Sequence, residues 1–207
     1  MKTFKKHIRC VRHWVAMIFA ATAIPQAANA QMLEAAHVLA EPLQYSRAGN
    51  FRGCGLHLRF VREVERSHYD YLTLSVNFWL DSPAGMTKTV LSSVTSGPEM
   101  KAANLALASA WTRIKPSDTL PAIGTYEGEE DSVLSTVPLD EALAFVLAIL
   151  ERPAEVQVGF KQKGLPFERI FYGKPVLSSE ASSQMMDCLG EFLDRLEEGR
   201  GKREKPN

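Results

Sequence analysis

Apolar and polar residues alternate along two consecutive stretches in the first half of the chain, which is the pattern of β-strands with one buried face. The clearest stretch is YDYLTLSVNFWL, residues 69–80. Its apolar face would carry Leu72, Leu74, Val76, Phe78 and Leu80, and its polar face Tyr71, Thr73, Ser75, Asn77 and Trp79.

The neighbouring stretches extend this strand into a predicted antiparallel meander. The stretch before it has Cys54, Leu56, Leu58 and Phe60 on one side and His57, Arg59 and Glu63 on the other. The stretch after it covers residues 86–95 and follows the turn sequence DSPAG at 81–85. Alternating stretches joined by short turns usually pair in chain order.

The segments around the meander have weaker patterns. Residues 31–50 contain Pro42 and Gly49 and are interpreted as a short helix or an irregular lead-in. Residues 99–114 have the composition of a helix and the alternation of a strand, and the alternation favours a strand over 105–114. Residues 115–136 are rich in proline, glycine, serine and acids, and predict a long exposed loop with at most one short strand.

Two helices and a hairpin are predicted in the last third of the chain. Residues 139–150 should form a helix that is apolar almost all round and therefore covered on most sides. EVQVGF (155–160) and FERIFYG (167–173) predict a β-hairpin. A final helix should begin at Ser178 or Ser179 and end at Gly199, followed by a disordered tail over 199–207. Its inward stripe would contain Ala181, Met185, Cys188, Leu189, Phe192, Leu193 and Leu196.

The first thirty residues have the pattern of a secretory signal peptide. Five basic residues and no acidic residue precede an apolar run of 11 residues at 14–24. This run is shorter than the roughly 20 residues that span a bilayer. Small residues occupy the positions that a signal peptidase reads, Ala28 and Ala30. We therefore predict cleavage after Ala30 and a periplasmic or secreted single domain over 31–198.

The net charge of the chain without its leader disfavours two classes of binding partner, namely nucleic acids and anionic membranes. The whole chain has 24 basic and 24 acidic residues, and removing the five leader bases leaves 19 against 24, a net charge of −5. Nucleic-acid binding needs clustered Lys and Arg. Neither nucleic acid nor an anionic membrane surface is an expected partner, and no segment after the leader predicts a membrane span.

Two cysteines follow the leader, Cys54 and Cys188. An even number in an exported chain favours a disulfide, and both positions lie on apolar sides of their elements. The bond would join the first core strand to the final helix. The alternatives are a buried free pair and a nucleophilic thiol at Cys54 with His57 as its base. A regular strand points His57 away from Cys54, whereas a bulge at Gly53 or Gly55 would let the two meet.

Other chemistry has weak support. The chain has no HExxH, GxSxG or SxxK motif. His57 and His68 could meet on neighbouring strands, but no third metal ligand accompanies them. The acidic run EGEED at 127–131 lacks the alternating ligands of a calcium loop. We predict no metal, no cofactor and no catalytic residue.

Candidate binding elements lie at two places. The polar face of the second strand offers Tyr71, Asn77 and Trp79 as a contact surface, unless another sheet or helix covers it. The hairpin tip offers Lys161 and Lys163, which are cationic on an acidic protein and which also suit an ordinary turn.

The segment over 139–164 resembles the exported invasion-associated locus B family. LAILERPAEVQVGFKQKG, residues 147–164, has that family's short apolar helix, a strand of VxVGF type and a glycine-containing turn. The resemblance implies a small β-sandwich with a periplasmic, non-enzymatic accessory role, and it transfers no catalytic residue. The cysteine-bearing final helix departs from the family's pattern.

These features predict one α+β domain: an antiparallel β-sheet or sandwich with two packed helices, the last of them linked to the first core strand by Cys54–Cys188. The expected function is an exported binding or assembly accessory protein without catalytic activity, with another envelope protein as its partner. Two alternatives stay open, namely an envelope hydrolase or thiol-dependent enzyme, and an inhibitor or immunity-type protein acting through residues 115–136. The sequence leaves the oligomeric state undetermined.

Overall fold

The computed structural model describes residues 30–97, 100–129, 131–152 and 154–203. The predicted signal peptide lies outside these residues apart from Ala30, and so does the end of the predicted tail, 204–207. The elements are β1 (Gln31–Glu34), β2 (His37–Arg47), β3 (Asn50–Glu65), β4 (His68–Trp79), β5 (Ala84–Thr95), β6 (Lys101–Leu105), β7 (Leu107–Ile114), β8 (Gly124–Glu127), β9 (Val133–Pro138), α1 (Leu139–Glu151), β10 (Val156–Gln162), β11 (Arg169–Gly173) and α2 (Ser179–Arg203).

The larger of two sheets is built around the predicted meander. β3, β4 and β5 pair antiparallel in chain order. β2 lies beyond β3, β9 and β8 lie beyond β5, and β6 pairs with the other end of β5. Leu56, Leu58, Leu72 and Leu74 are fully buried on one face of this sheet. The alternation that predicted these strands is therefore confirmed.

The smaller sheet has the strand order β1-β11-β10-β7. β10 and β11 form the predicted antiparallel hairpin. β7 pairs with β10 along its length, which confirms a strand rather than a helix over this part of the chain. β1 joins the far edge parallel to β11, with Met32 opposite Ile170.

The smaller sheet and both helices pack against one face of the larger sheet, which we call its inner face. Phe171 of β11 lies 6.5 Å from Phe60 of β3 between ring centroids, and Phe192 of α2 lies 4.9 Å from Phe78 of β4. α1 packs on the same face through Ala142. These contacts produce one hydrophobic core shared by the two sheets and both helices, which confirms the predicted α+β class.

The interpretation of residues 31–50 as a helix or irregular lead-in is wrong. β2 pairs with β3 from end to end, and its Val38 and Ala40 are buried. Pro42 is tolerated because β2 is an edge strand, where a missing N–H need not break a ladder. Ala48 and Gly49 have φ values of 51° and 76° and make the tight turn into β3.

Two other boundaries differ from the prediction. Residues 115–136 contain β8 and the start of β9, because Val133, Ser135 and Val137 alternate onto the core. α2 begins as predicted, with the Ala181 N–H donating to Ser178 Oγ at 3.1 Å. It continues through Gly199 to Arg203, so the disordered tail predicted from residue 199 is wrong as far as residue 203. Gly199 does not adopt the left-handed φ that commonly ends a helix.

The predicted coverage of the two helices is also incorrect in part. α1 forms where expected, but it buries one side only, through Ala142, Phe145, Val146 and Ile149. Its Leu147 is 36% exposed. On α2, Leu193 is exposed rather than part of the inward stripe. Each helix lies on the inner face with its opposite side turned away from the sheets.

Candidate functional site

Cys54 and Cys188 form the predicted disulfide, with their Cα atoms 6.0 Å apart. Cys54 is fully buried and Cys188 nearly so. A sulfur in a disulfide is not a thiolate nucleophile, so the predicted alternatives of a free pair and of a reactive Cys54 do not hold for this state. The bond fastens α2 to the inner face of β3.

His57 lies on the opposite, outer face of β3, away from Cys54. The β3–β4 register is regular from Gly53 to Glu63, so no bulge there brings the imidazole to the sulfur. His57 Nδ1 is instead 2.8 Å from Ser75 Oγ on β4. The regular strand expected from the sequence thus determines where His57 points.

The outer face of the larger sheet is open over its central strands. The smaller sheet and the helices pack on the inner face, and none of the described elements outside the sheet covers the outer one. Tyr71, Thr73, Ser75 and Trp79 each keep part of their surface in solvent. The expected alternative, in which another layer covers this face, does not apply to the part of the chain that the structure describes.

Asn77 is the exception among the predicted surface residues, because its side chain is 4% exposed. Tyr45 Oη donates a hydrogen bond of 2.7 Å to Asn77 Oδ1. The Tyr45 ring lies 5.6 Å from that of Trp79. Burial raises the pKa of Tyr45 above its ordinary value, which keeps the phenol protonated and able to donate. Asn77 therefore positions this aromatic pair and is not itself a free contact residue.

Two glycines on β3 make room for the aromatic pair. Gly53 lies between Tyr45 and Trp79 in the strand registers. A Cβ on Gly55 would meet Asn77 Oδ1 and lie 2.9 Å from the carbonyl oxygen of Val76. Aromatic side chains from neighbouring strands thus cover a strip of bare backbone, an arrangement that stabilises sheets at glycine positions.

Tyr45 was missed at the sequence level, and the reason is specific. It lies in the segment interpreted as a helix or lead-in, so its place on the sheet face was hidden. Its signal would have been the alternation of Val38 and Ala40 with Leu39 and Glu41, which Pro42 interrupts.

A polar cluster occupies the middle of the outer face. Glu41 lies opposite His57 in the β2–β3 register, and its carboxylate is 3.8 Å from the guanidinium of Arg59. Burial, and next the charge of Arg59, lower the pKa of His57, while Glu41 raises it. The net decrease favours a neutral imidazole at neutral pH.

The backbone beside the pair of His57 and Ser75 is committed to strand pairing. Ser75 is on a central strand, paired with His57 on one side and Lys88 on the other. Backbone N–H groups in such a strand are taken up by the ladders. They are not free to stabilise an oxyanion, which acyl transfer requires.

The two predicted aromatic contacts on β4 lie at opposite ends of the face. Tyr71 is next to Tyr69, with ring centroids 6.3 Å apart, and Trp79 is next to Tyr45. Eight residues of strand separate Tyr71 from Trp79, or about 26 Å at the usual rise per residue. The structure therefore does not join them into one pocket; it spreads them along one surface.

Lys161 and Lys163 belong to the hairpin of the smaller sheet and do not share the surface of Tyr71 and Trp79. Lys161 lies one residue before the end of β10, opposite Ser109, and is exposed. Lys163 forms an ion pair with Glu127 of β8, at 2.9 Å. The adjacent Gly164 has a φ of 83°, as tight turns require. The charge of Lys163 is thus matched within the protein.

His57 and His68, which the sequence allowed to meet on neighbouring strands, lie apart. Ser75 lies opposite His57 and Glu65 lies opposite His68, so the two rings are at different heights on the sheet. The His68 ring contacts Ser93 and Thr95. Within the described residues, no three His, Cys, Asp or Glu side chains come together as metal ligands would.

Comparison with known proteins adds no relative. No protein-family model, curated protein or solved structure matches the chain significantly. The resemblance of residues 139–164 to the invasion-associated locus B family stays a prediction. Among the helices of the described residues, none is both long and apolar enough to cross a membrane.

Proposed function

We propose that this protein is an exported, disulfide-stabilised binding or assembly accessory protein without catalytic activity of its own. Its contact surface would be the outer face of β2–β5, and its partner another protein of the cell envelope. The observation that carries the proposal is the open outer face, which presents Tyr45 and Trp79 at one end and Tyr69 and Tyr71 at the other.

Aromatic residues on a rigid sheet suit a protein contact. Each offers a large area at a low cost in conformational entropy, and Tyr and Trp are enriched in protein interfaces. Strands hold the side chains at fixed spacing, and the hydrogen bond from Tyr45 to Asn77 fixes one of them further. Ion pairs such as Arg59–Glu41 between the aromatic ends would add specificity more than affinity.

Export is supported by two independent features. The leader predicts secretion, and the buried disulfide is of a kind that persists in oxidising compartments. The resemblance of residues 139–164 also implies a periplasmic accessory role. A disulfide behind the sheet leaves the opposite face free for a partner.

Photo-crosslinking from the outer face tests this function. A photoreactive phenylalanine analogue would replace Tyr71 or Trp79 in the exporting cells, and Tyr172 as a control. Tyr172 is a half-exposed tyrosine on the smaller sheet, so it matches Tyr71 in type and exposure. We expect the first two positions to give the same heavier adduct and the control to give none.

Two results would contradict the proposal. One is a crosslink from Tyr172 with none from Tyr71 or Trp79, which would place the partner on the other sheet. The other is the absence of an adduct at all three positions. Conversion of a substrate by the purified protein, with loss of turnover in Ser75→Ala, would favour the hydrolase alternative instead.

A further inference from the structure

Arg113 lies on the side of the smaller sheet that is turned away from the shared core. Side chains alternate along β7, so that Thr112 and Ile114 are buried while Trp111 and Arg113 are half-buried on the opposite side. Neither of the outward residues belongs to the outer face of the larger sheet, where the partner protein is proposed to bind. Trp111 and Arg113 therefore form a separate surface.

Neighbouring side chains hold the guanidinium of Arg113 in one position. Its Nε donates to Gln157 Oε1 at 2.8 Å. Gln157 is fully buried, and its own Nε2 donates to Glu155 Oε1 at 2.8 Å, which fixes the orientation of the amide. The Arg113 Cζ atom also lies 5.4 Å from the centre of the Trp111 ring, a distance at which a cation and an aromatic ring attract each other.

The Trp111 ring is itself fixed beside the guanidinium. It lies over Gly159 of β10, where a Cβ atom would collide with the ring. Its Nε1 donates to Glu168 Oε1 at 2.7 Å. Thr119 pairs with Arg113 across an isolated bridge, which puts its exposed side chain on the same side of the sheet. An apolar ring and a hydroxyl thus flank the guanidinium.

The terminal nitrogens of Arg113, Nη1 and Nη2, are still available. The hydrogen bond to Gln157 uses Nε, and no carboxylate of the described residues forms an ion pair with Arg113. Two parallel N–H groups of a guanidinium match the two oxygens of a carboxylate. Because the side chain is already held in place, a ligand would not have to order it, and binding would cost less free energy.

From this geometry we propose that Arg113 is the main contact in a binding site for a small organic carboxylate. The carboxylate would accept one hydrogen bond from Nη1 and one from Nη2. The apolar body of the ligand would lie against the Trp111 ring, and the Thr119 hydroxyl would donate to a carboxylate oxygen. The site is on a different sheet from the proposed protein contact and takes a different class of ligand, so it goes beyond the proposed function.

Charge favours a carboxylate over a phosphate as the ligand. Glu155 and Glu168 border the site through their hydrogen bonds to its residues. Lys115 pairs with Glu155 at 3.0 Å, whereas Glu168 has no ion pair among the described residues. A phosphate monoester carries a charge of about −1.5 to −2 at neutral pH. These acids would therefore repel it more strongly than a carboxylate with a single charge.

The first test uses the two tryptophans that follow the leader, Trp79 and Trp111. Their indole N–H signals are followed by NMR of isotope-labelled protein while benzoate is added over a millimolar range. The Trp111 signal should shift and saturate, whereas the Trp79 signal, on the larger sheet, should stay in place. Benzamide, which has the same ring without the charge, should give no saturating shift. Phenyl phosphate should bind more weakly than benzoate.

The second test replaces the guanidinium. Arg113→Lys keeps the positive charge and removes the paired N–H groups, so it should weaken benzoate binding about tenfold, as the loss of one charge-assisted hydrogen bond does. Arg52→Lys is the matched control, because Arg52 is another half-buried arginine on a strand but is paired with Asp81 on the larger sheet. It should bind benzoate as the wild type does. Circular dichroism shows that each variant is folded.

The proposal is overturned if benzoate leaves the Trp111 signal unchanged, or if benzamide shifts it to the same extent. It is equally overturned if Arg113→Lys binds benzoate as tightly as the wild type. Tighter binding of phenyl phosphate than of benzoate would contradict the class of ligand. All of these measurements are made on purified protein without a partner, so their results are independent of whether an envelope protein binds the larger sheet.

Discussion

Three consecutive residues of β3 serve its two faces: Cys54 the inner one, and Gly53 and Gly55 the outer one. The cysteine points inward to the disulfide, and the glycines leave backbone exposed on the outer face for Tyr45, Asn77 and Trp79 to cover. The sequence predicted the direction of Cys54 from alternation alone. It gave no indication that the glycines serve the opposite face, because that role depends on Tyr45 from another strand.

Gly55→Ala should therefore destabilise the protein. The added Cβ would meet Asn77 Oδ1 and the backbone carbonyl of Val76. The Asn77 side chain could move away from the Cβ only by giving up its hydrogen bond from Tyr45. We expect a loss of about 1–3 kcal/mol, which is typical of overpacking. Chemical denaturation of the two proteins measures it.

Gly190→Ala is the matched control, because the same substitution meets nothing within 4 Å there. Gly190 lies inside α2, where alanine favours a helix by about 1 kcal/mol. The free energy of unfolding of the Gly190→Ala protein should therefore rise by roughly 1 kcal/mol. A loss of stability in Gly55→Ala together with a gain in Gly190→Ala would support the packing account, whereas a neutral Gly55→Ala would show that Gly55 has no steric role.

The strands with a strong apolar–polar alternation were predicted well, whereas β2 and β9 were not. β3 and β4 each bury one regular apolar face, so their pattern is visible without knowledge of their neighbours. β2 and β9 depend on their partners. Pro42 is harmless only at an edge, and Ser135 is buried only because β9 pairs between β5 and β8 with this residue on the inner face. The positions of such strands can be explained only once the pairing of the sheet is known.

The disulfide joins elements 134 residues apart in sequence and should contribute strongly to stability. Closing so long a loop restricts the unfolded chain by about 4–5 kcal/mol in the entropy model. Cys54→Ala combined with Cys188→Ala should lower the free energy of unfolding by up to this amount. Denaturation in guanidinium measures the loss.

Reduced wild-type protein is the control for that variant, because it lacks the bond and keeps both sulfurs. It should unfold at nearly the same denaturant concentration as the double variant. Oxidised protein that unfolds no later than either would show that the bond adds no stability.

The molecule as a whole has a crosslinked inner side and an open outer side. Helices, smaller sheet and disulfide lie behind the larger sheet, and its aromatic and polar side chains face outward. Tyr71 and Trp79 were identified from one strand, since alternation puts them on the same side. The strand pairing was needed to show that Lys161 and Lys163 belong to the other sheet. It also showed that Tyr71 and Trp79 lie at opposite ends of the outer face.

We propose that the chain is secreted and oxidised before it acts as a binding protein. An intact-mass spectrum of protein recovered from outside the cytoplasm, alkylated before and after reduction, tests this directly. We expect a chain that begins at Gln31, takes up no reagent before reduction and gains two groups afterwards, at Cys54 and Cys188. A chain that retains Met1, or one that is alkylated at both cysteines without reduction, would contradict it.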